Sequence, residues 1–258
     1  MTRSATVNYH VRRGGRPVYE IDAGGVVGEI VSPEHAKTVV AVGDVRGGEV
    51  SVSFRQDGLM FEHAPSRVAS FDGENWRTTY ESELGLWLRD KLGAREVLIF
   101  DHTVREDDQS STRQPARNVH TDYSPDGAQQ RLTDLLGAGE ADEWARGHYA
   151  FINLWRPIGR TVNSAPLGFV RPASVSADDW MLIDVVYPDR VGHIMGLAAS
   201  DRHEWIYLSC MSPDELVAFN IYDNLGLPSV AHSALNLTED EHERSTRRSI
   251  ESRALVRY

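Results

Sequence analysis

The sequence predicts a mainly β protein with flanking helices, folded as one barrel or sandwich domain. Three observations predict it. Short runs rich in Val, Ile, Tyr and Phe fill the first seventy residues, separated by glycine pairs. From Tyr149 onward, strand-like segments follow one another with only short breaks. Between these two parts, only two stretches place apolar residues at helical spacing.

In order, VNYHV, PVYEI, TVVAV, EVSVSF and the stretch from Leu59 to Phe61 read as strands, with Gly pairs at 14/15, 24/25 and 47/48 as turn signals. From Glu74 to Leu92 the residues Trp76, Tyr80, Leu84, Trp87, Leu88 and Leu92 recur at helical spacing, and Gly93 supplies a stop. Residues 1–92 thus read as a β-rich N-terminal extension plus a helix, and 93–258 as the core of the same domain. EVLIFDHTV at 96–104 reads as a buried strand, and the polar REDDQSSTRQP after it as a loop. A second helix is expected from about Ala128 to Trp144. The strands that follow are YAFINLWRPI, WMLIDVVY, HIMGLAA, EWIYLSCM, ELVAFNIY, VAHSALNL and RSIESRALVRY. The charged run TEDEHERSTRR at 238–248 is expected to be a solvated loop before the last of them.

A chain of 258 residues can bury one substantial core as a single domain. Its 38 acidic and 27 basic residues give a net charge of −11, which argues against nucleic acid or an anionic membrane as the main partner and favours a small molecule. MTRSATVNYH lacks the apolar run of a secretion signal, and no segment approaches the ~20 apolar residues of a membrane span, so a cytoplasmic protein is expected. The lone Cys210 cannot form an intrachain disulfide or build a thiolate zinc site. A transition metal here must use nitrogen and oxygen ligands. No Gly-x-Ser-x-Gly, P-loop or Gly-x-Gly-x-x-Gly occurs, so serine-hydrolase and nucleotide-binding readings fall away.

Non-haem iron(II) oxygenases hold the metal with two imidazoles and one carboxylate and leave positions open. His120-Thr121-Asp122 places a His and an Asp two residues apart, on one side of an extended chain. With 38 acidic residues and ten histidines, such a triplet also arises by chance once or twice, and a surface pair is the competing reading. His232, on a strand with small neighbours Ala231, Ser233 and Ala234, is the candidate third ligand, against the alternative of a hydrogen-bonded core histidine. His193, His203 and His242 are its competitors; the last two sit in charged, turn-like segments. In RRSIESRALVRY, Arg247, Ser249, Glu251 and Arg253 fall on one face at period two. Two arginines there are costly to bury unless a carboxylate meets them, and Arg247-x-Ser249 offers a guanidinium and a hydroxyl to the far carboxylate of 2-oxoglutarate. A solvated edge strand with a Glu251–Arg253 pair is the alternative. Asn153 and Arg156 in FINLWRPI, and Arg105 at the end of FDHTVR, are candidate substrate contacts, Arg156 as an anion clamp.

The segments EVLIFDHTVR, ARNVHTDYS, FINLWRPI, VYPDRVGHI, MSPDELVAFNIYD and RRSIESRALV, in that order, resemble the CmcJ/NvfI-like family of non-haem iron(II)/2-oxoglutarate-dependent oxygenases. That family includes a component of cephamycin 7-hydroxylation, AsaB-like hydroxylase/desaturases and gibberellin-desaturase-like proteins. The resemblance covers roughly residues 50–258. It implies a double-stranded β-helix core (a cupin-like jelly roll), Fe(II) on His120, Asp122 and His232, and O₂ and 2-oxoglutarate as co-substrates. It places Arg247 with Ser249 at the co-substrate carboxylate, Arg253 being the other candidate. The implied activity is hydroxylation, desaturation or cyclisation of a small secondary-metabolite intermediate, amino-acid-derived and anionic or zwitterionic. APLGFVRPASV, with Gly168, Phe169 and Arg171, departs from the family's pattern beside the pocket and points to an unusual substrate. Two other readings remain open at this level: a cupin-like metal-binding protein, and an O₂-using enzyme without 2-oxoglutarate. A homodimer is one option for the assembly.

Overall fold

In the computed structural model, which describes residues 2–26, 29–48, 50–108, 110–238 and 247–258, most of the apolar runs pair into two sheets. In chain order the elements are β1 (Thr2–His10), β2 (Val18–Ile21), β3 (Ile30–Val31), β4 (His35–Asp44), α1 (Phe54–Asp57), β5 (Leu59–His63), α2 (Arg77–Leu92), β6 (Glu96–Glu106), β7 (His120–Thr121), α3 (Pro125–Leu136), α4 (Ala138–Ala145), β8 (Tyr149–Pro157), β9 (Leu167–Val170), β10 (Trp180–Val186), β11 (Val191–Leu197), β12 (Trp205–Tyr207), β13 (Glu215–Asp223), β14 (His232–Ala234), β15 (Asn236–Leu237) and β16 (Arg248–Arg257). The larger sheet runs β15-β1-β4-β12-β9-β14-β7-β11-β10-β2-β3, the smaller β5-β13-β8-β16-β6.

The sheets face each other. Phe151, Trp155, Phe219 and Leu255 of the smaller sheet share a core with Leu167, Phe169 and Ile206 of the larger one. Because successive side chains alternate across a strand, β8 turns Tyr149, Phe151 and Trp155 to this core and Ala150, Ile152 and Leu154 to the opposite side, where α2 lays Tyr80, Leu84 and Leu88. Covered on both faces and flanked by β13 and β16, β8 is buried along its whole length. The N-terminal strands join both sheets: β4 pairs with β12, β2 with β10, and β5 with β13.

Four local expectations change. The described part of EVSVSF, residues 50–54, does not form a strand; its end turns into the short α1, where the Asp57 carboxylate accepts the Ser53 N–H at 2.9 Å. Gly58 then reverses the chain at φ +62°, with the Pro228 carbonyl 2.7 Å from where a Cβ would stand, so glycine is required. EVLIFDHTV is an edge strand and half-buried, since β6 ends the smaller sheet. The second helix begins earlier, at Pro125 with Ser124 as its N-cap, and breaks into α3 and α4 at Gly137, whose φ of 79° and ψ of 160° only glycine adopts readily. Most of the charged run at 238–248, including His242, lies outside the described residues.

Candidate active site

Two short strands bring His120 and His232 together. They are direct cross-strand partners of β7 and β14, with ring centroids 4.6 Å apart. Two residues on from His120, Asp122 returns to the same side of the chain. Its Oδ1 lies 3.5 Å from His120 Nε2 and 3.9 Å from His232 Nε2, and ligand atoms of the three residues lie within 4.8 Å of one another. His120 Nδ1 donates to the Asn118 carbonyl at 2.8 Å and His232 Nδ1 to the Val230 carbonyl at 3.2 Å. A carbonyl only accepts, so each proton sits on Nδ1 and each Nε2 turns a free lone pair towards Asp122. Gly196 of β11 flanks His120 on its other side, where a Cβ would collide with the His10 ring and the Ile183 side chain.

Burial, and then the neighbouring His232, pushes the His120 pKa down to about 4; burial also lowers that of His232. Both rings are therefore neutral at neutral pH, the state that binds a metal. For Asp122 burial opposes ionisation, but Arg253 and the two histidines outweigh it and hold the carboxyl well below the usual range. Its Oδ2 accepts Arg253 Nε–H at 2.8 Å and Asn153 Nδ2–H at 3.0 Å. Arg253 is further tied to Asp101 and, at 2.8 Å, to Glu251. Two neutral imidazoles and one carboxylate on one side of a metal suit iron(II) with positions left open.

Arg247 is buried in a different state. Its Nε donates to Ser249 Oγ at 3.2 Å, an Nη donates to the Ala165 carbonyl, and its guanidinium lies over the Trp155 ring. Among the described residues no carboxylate forms an ion pair with it, and burial, then the nearby Arg105, lowers its pKa to about 9 against the opposing charges of Asp107 and Glu251. A buried cation with no ion-pair partner among the described residues fits an incoming carboxylate. Arg253, engaged by three carboxylates, has no such capacity.

A cavity of about 710 Å³ opens beside this cluster, with His120, Asp122 and Arg253 in its wall. Arg105, Arg113, Arg131 and Arg190 also line it. Arg131 lies over Phe100 and Arg190 over Tyr187, at 5.0 Å and 4.2 Å from the ring centroids.

Three expected contacts are relocated. Arg156 faces away from the cavity, on the α2 side of β8, with its guanidinium 5.3 Å from the Tyr80 ring centroid and an Nη donating to the Pro213 carbonyl. It is no anion clamp for the substrate. Asn153 meets Asp122, and so does Arg253, which removes the latter as the carboxylate anchor. His193 lies outside the ligand cluster, its Nδ1 bonded to Asp184 at 2.9 Å, although it lines the cavity. The arginines 113, 131 and 190 carry no mark in the sequence; they come from loops and a helix that the fold brings over one opening, a signal no local pattern carries.

Residues 7–257 match the family described as an oxidoreductase/YMDC permease-like domain. The α-ketoglutarate-dependent dioxygenase phiK of a fungal species is 30% identical over 235 residues, 84% of this chain and 83% of that protein. The chain belongs to the CmcJ/NvfI-like oxygenase family. The hydroxylase/desaturase efuI of Hormonema carpetanum is 29% identical over 285 residues, 99% of this chain and 95% of that protein. The iron- and α-ketoglutarate-dependent endoperoxidase NvfI superposes with a TM-score of 0.84 at 21% identity, over 100% of this chain and 97% of that one. The fold is thus the double-stranded β-helix of this oxygenase family, with further strands on both sheets. Despite the word permease in the family description, no helix among the described residues is long and apolar enough to cross a membrane.

Proposed function

We propose that this protein is an iron(II)/2-oxoglutarate-dependent oxygenase of small molecules, in which His120 Nε2, Asp122 Oδ1 and His232 Nε2 hold the iron. Arg247 and Ser249 bind the far carboxylate of 2-oxoglutarate. The observation that carries the reading is the pair of Nδ1–H bonds to backbone carbonyls, which aims both imidazole lone pairs at the one free carboxylate oxygen. Iron(II) with 2-oxoglutarate and O₂ supplies the oxidation of a substrate C–H bond, the co-substrate leaving as succinate and CO₂. The chain itself orients the metal, pairs the co-substrate charge and shapes the cavity. The family match over 7–257 supports one catalytic domain.

The substrate carries an anionic group. Arg105, Arg113, Arg131 and Arg190 line the cavity without an ion-pair partner among the described residues, in a chain of net charge −11. Arg105 is half-buried and spends one Nη on the Gln114 carbonyl at 3.0 Å, leaving the rest of its guanidinium for a ligand. The test is to incubate the protein with iron(II), ascorbate and 2-oxoglutarate and to measure succinate with and without candidate small molecules. Succinate formation that His232→Ala abolishes is expected, with stimulation by carboxylated compounds that Arg105→Gln weakens. No succinate from the wild type under any condition would overturn the oxygenase reading; equal stimulation by neutral analogues would overturn the anionic one.

A further inference from the structure

We propose that Arg253 and Asn153 act as positioning residues that hold Asp122 to one-oxygen ligation, keeping the metal's remaining positions free for co-substrate and O₂. The proposal rests on the iron reading of the site. A carboxylate oxygen offers two lone-pair directions in its plane, and on Asp122 Oδ2 both are taken, by Arg253 Nε–H at 2.8 Å and Asn153 Nδ2–H at 3.0 Å. Only Oδ1 is left facing the two Nε2 atoms. Freed of these donors, the same carboxylate could close on the metal through both oxygens and occupy a fourth position.

The donors are themselves fixed. Arg253 and Asn153 are register partners across β16 and β8, the two adjacent inner strands of the smaller sheet, and Asn153 is fully buried. The rest of the Arg253 fork is held by Asp101 and Glu251, so its Nε cannot swing away from Asp122. Simple charge balance would explain the arginine but not the asparagine, which is neutral and makes the same bond. The pairing also accounts for two arginines on one face of the last strand, six residues apart: one is spent on the metal's carboxylate, the other left for the co-substrate.

The test uses Mn(II) as the probe and water-proton relaxation as the readout, on full-length wild type, Arg253→Met and Asn153→Leu, each saturated with Mn(II) and with folding checked by circular dichroism. Three protein ligands leave three octahedral positions for water, so two-oxygen ligation in Arg253→Met is expected to lower relaxivity per bound Mn(II) by about one third. Asn153→Leu, close in size and without change of charge, is expected to lower it in the same direction, and it decides the matter if Arg253→Met does not fold. A folded variant that binds Mn(II) with unchanged relaxivity overturns the proposal. A wild type that binds no Mn(II) overturns the metal reading beneath it instead.

Discussion

Arg247 lies over Trp155, its guanidinium carbon 4.9 Å from the ring centroid, and among the described residues no carboxylate forms an ion pair with it, Asp107 and Glu251 acting only through their charge. The stacking fixes the plane of the guanidinium, and the Ser249 hydroxyl fixes its edge. Removal of the charge by Arg247→Ala is therefore expected to cost about 2–5 kcal/mol of co-substrate binding, a rise on the order of 30-fold or more in the 2-oxoglutarate requirement. Ser249→Ala should cost less. Quenching of tryptophan fluorescence during anaerobic titration with 2-oxoglutarate reads this, because Arg247 lies over the Trp155 ring, and Trp155→Phe identifies which part of the signal comes from that ring. Equal affinity in the wild type and Arg247→Ala would move the carboxylate elsewhere.

The metal prediction concerns stability as much as turnover. Binding to the folded state alone adds RT ln(1 + [L]/Kd), about 2.7 kcal/mol at a hundredfold excess over Kd. Mn(II) should therefore raise the Tm of the wild type and leave those of His120→Ala, Asp122→Ala and His232→Ala unchanged. Thermal unfolding with and without Mn(II) checks it. A shift that persists in His232→Ala but vanishes in His193→Ala would reassign the distal ligand.

Arg156→Gln is expected to leave the 2-oxoglutarate and substrate dependence of succinate formation unaltered while lowering stability. Arg156 packs its charge over Tyr80 beneath α2, on the far side of β8 from the cavity, and its Nε has no hydrogen-bond partner among the described residues. The loss is one cation–π contact and one carbonyl bond, about 1–3 kcal/mol together. Urea unfolding set beside steady-state kinetics separates the two effects, and a changed KM would return Arg156 to the site.

The His120, Asp122 and His232 cluster was only partly legible from spacing: His-x-Asp on extended chain shares a side and small residues around His232 leave room, but such a triplet also arises by chance, and it was the family resemblance that singled these three out. Period two likewise put Arg247, just before β16, and Ser249 on the same side of the chain. The same alternation separates Trp155 from Arg156, yet it does not say which face of β8 is interior; that is decided by α2 packing Tyr80 and Leu84 against the other one. Asn153 looked like a substrate contact because its true partner, Asp122, stands 31 positions away and meets it only across the two sheets. EVSVSF has the composition of a strand, but its end turns into α1, with the Asp57 side chain accepting the Ser53 N–H, and Gly58 reverses the chain.

His10 supplies the last prediction, a dependence of stability on pH. It is 2% exposed, and neither ring nitrogen has a hydrogen-bond partner among the described residues. Burial first, then His35 and His120 nearby, lowers its pKa from 6.5 to about 3. Between those values the unfolded chain takes up a proton that the folded one refuses, so the stability His10 permits is complete above pH 6.5 and lost progressively as the pH falls towards 3. At pH 5 the difference is about 1.5 pH steps of about 1.36 kcal/mol each, roughly 2 kcal/mol. His10→Leu removes the titrating group and the unpartnered ring N–H together, so its unfolding free energy should fall less between pH 7.5 and pH 5 than that of the wild type, by roughly this amount. The comparison is made in EDTA, so that metal release from His120 and His232 contributes to neither curve. Parallel curves would mean that the His10 ring is reached and charged by solvent in the folded protein.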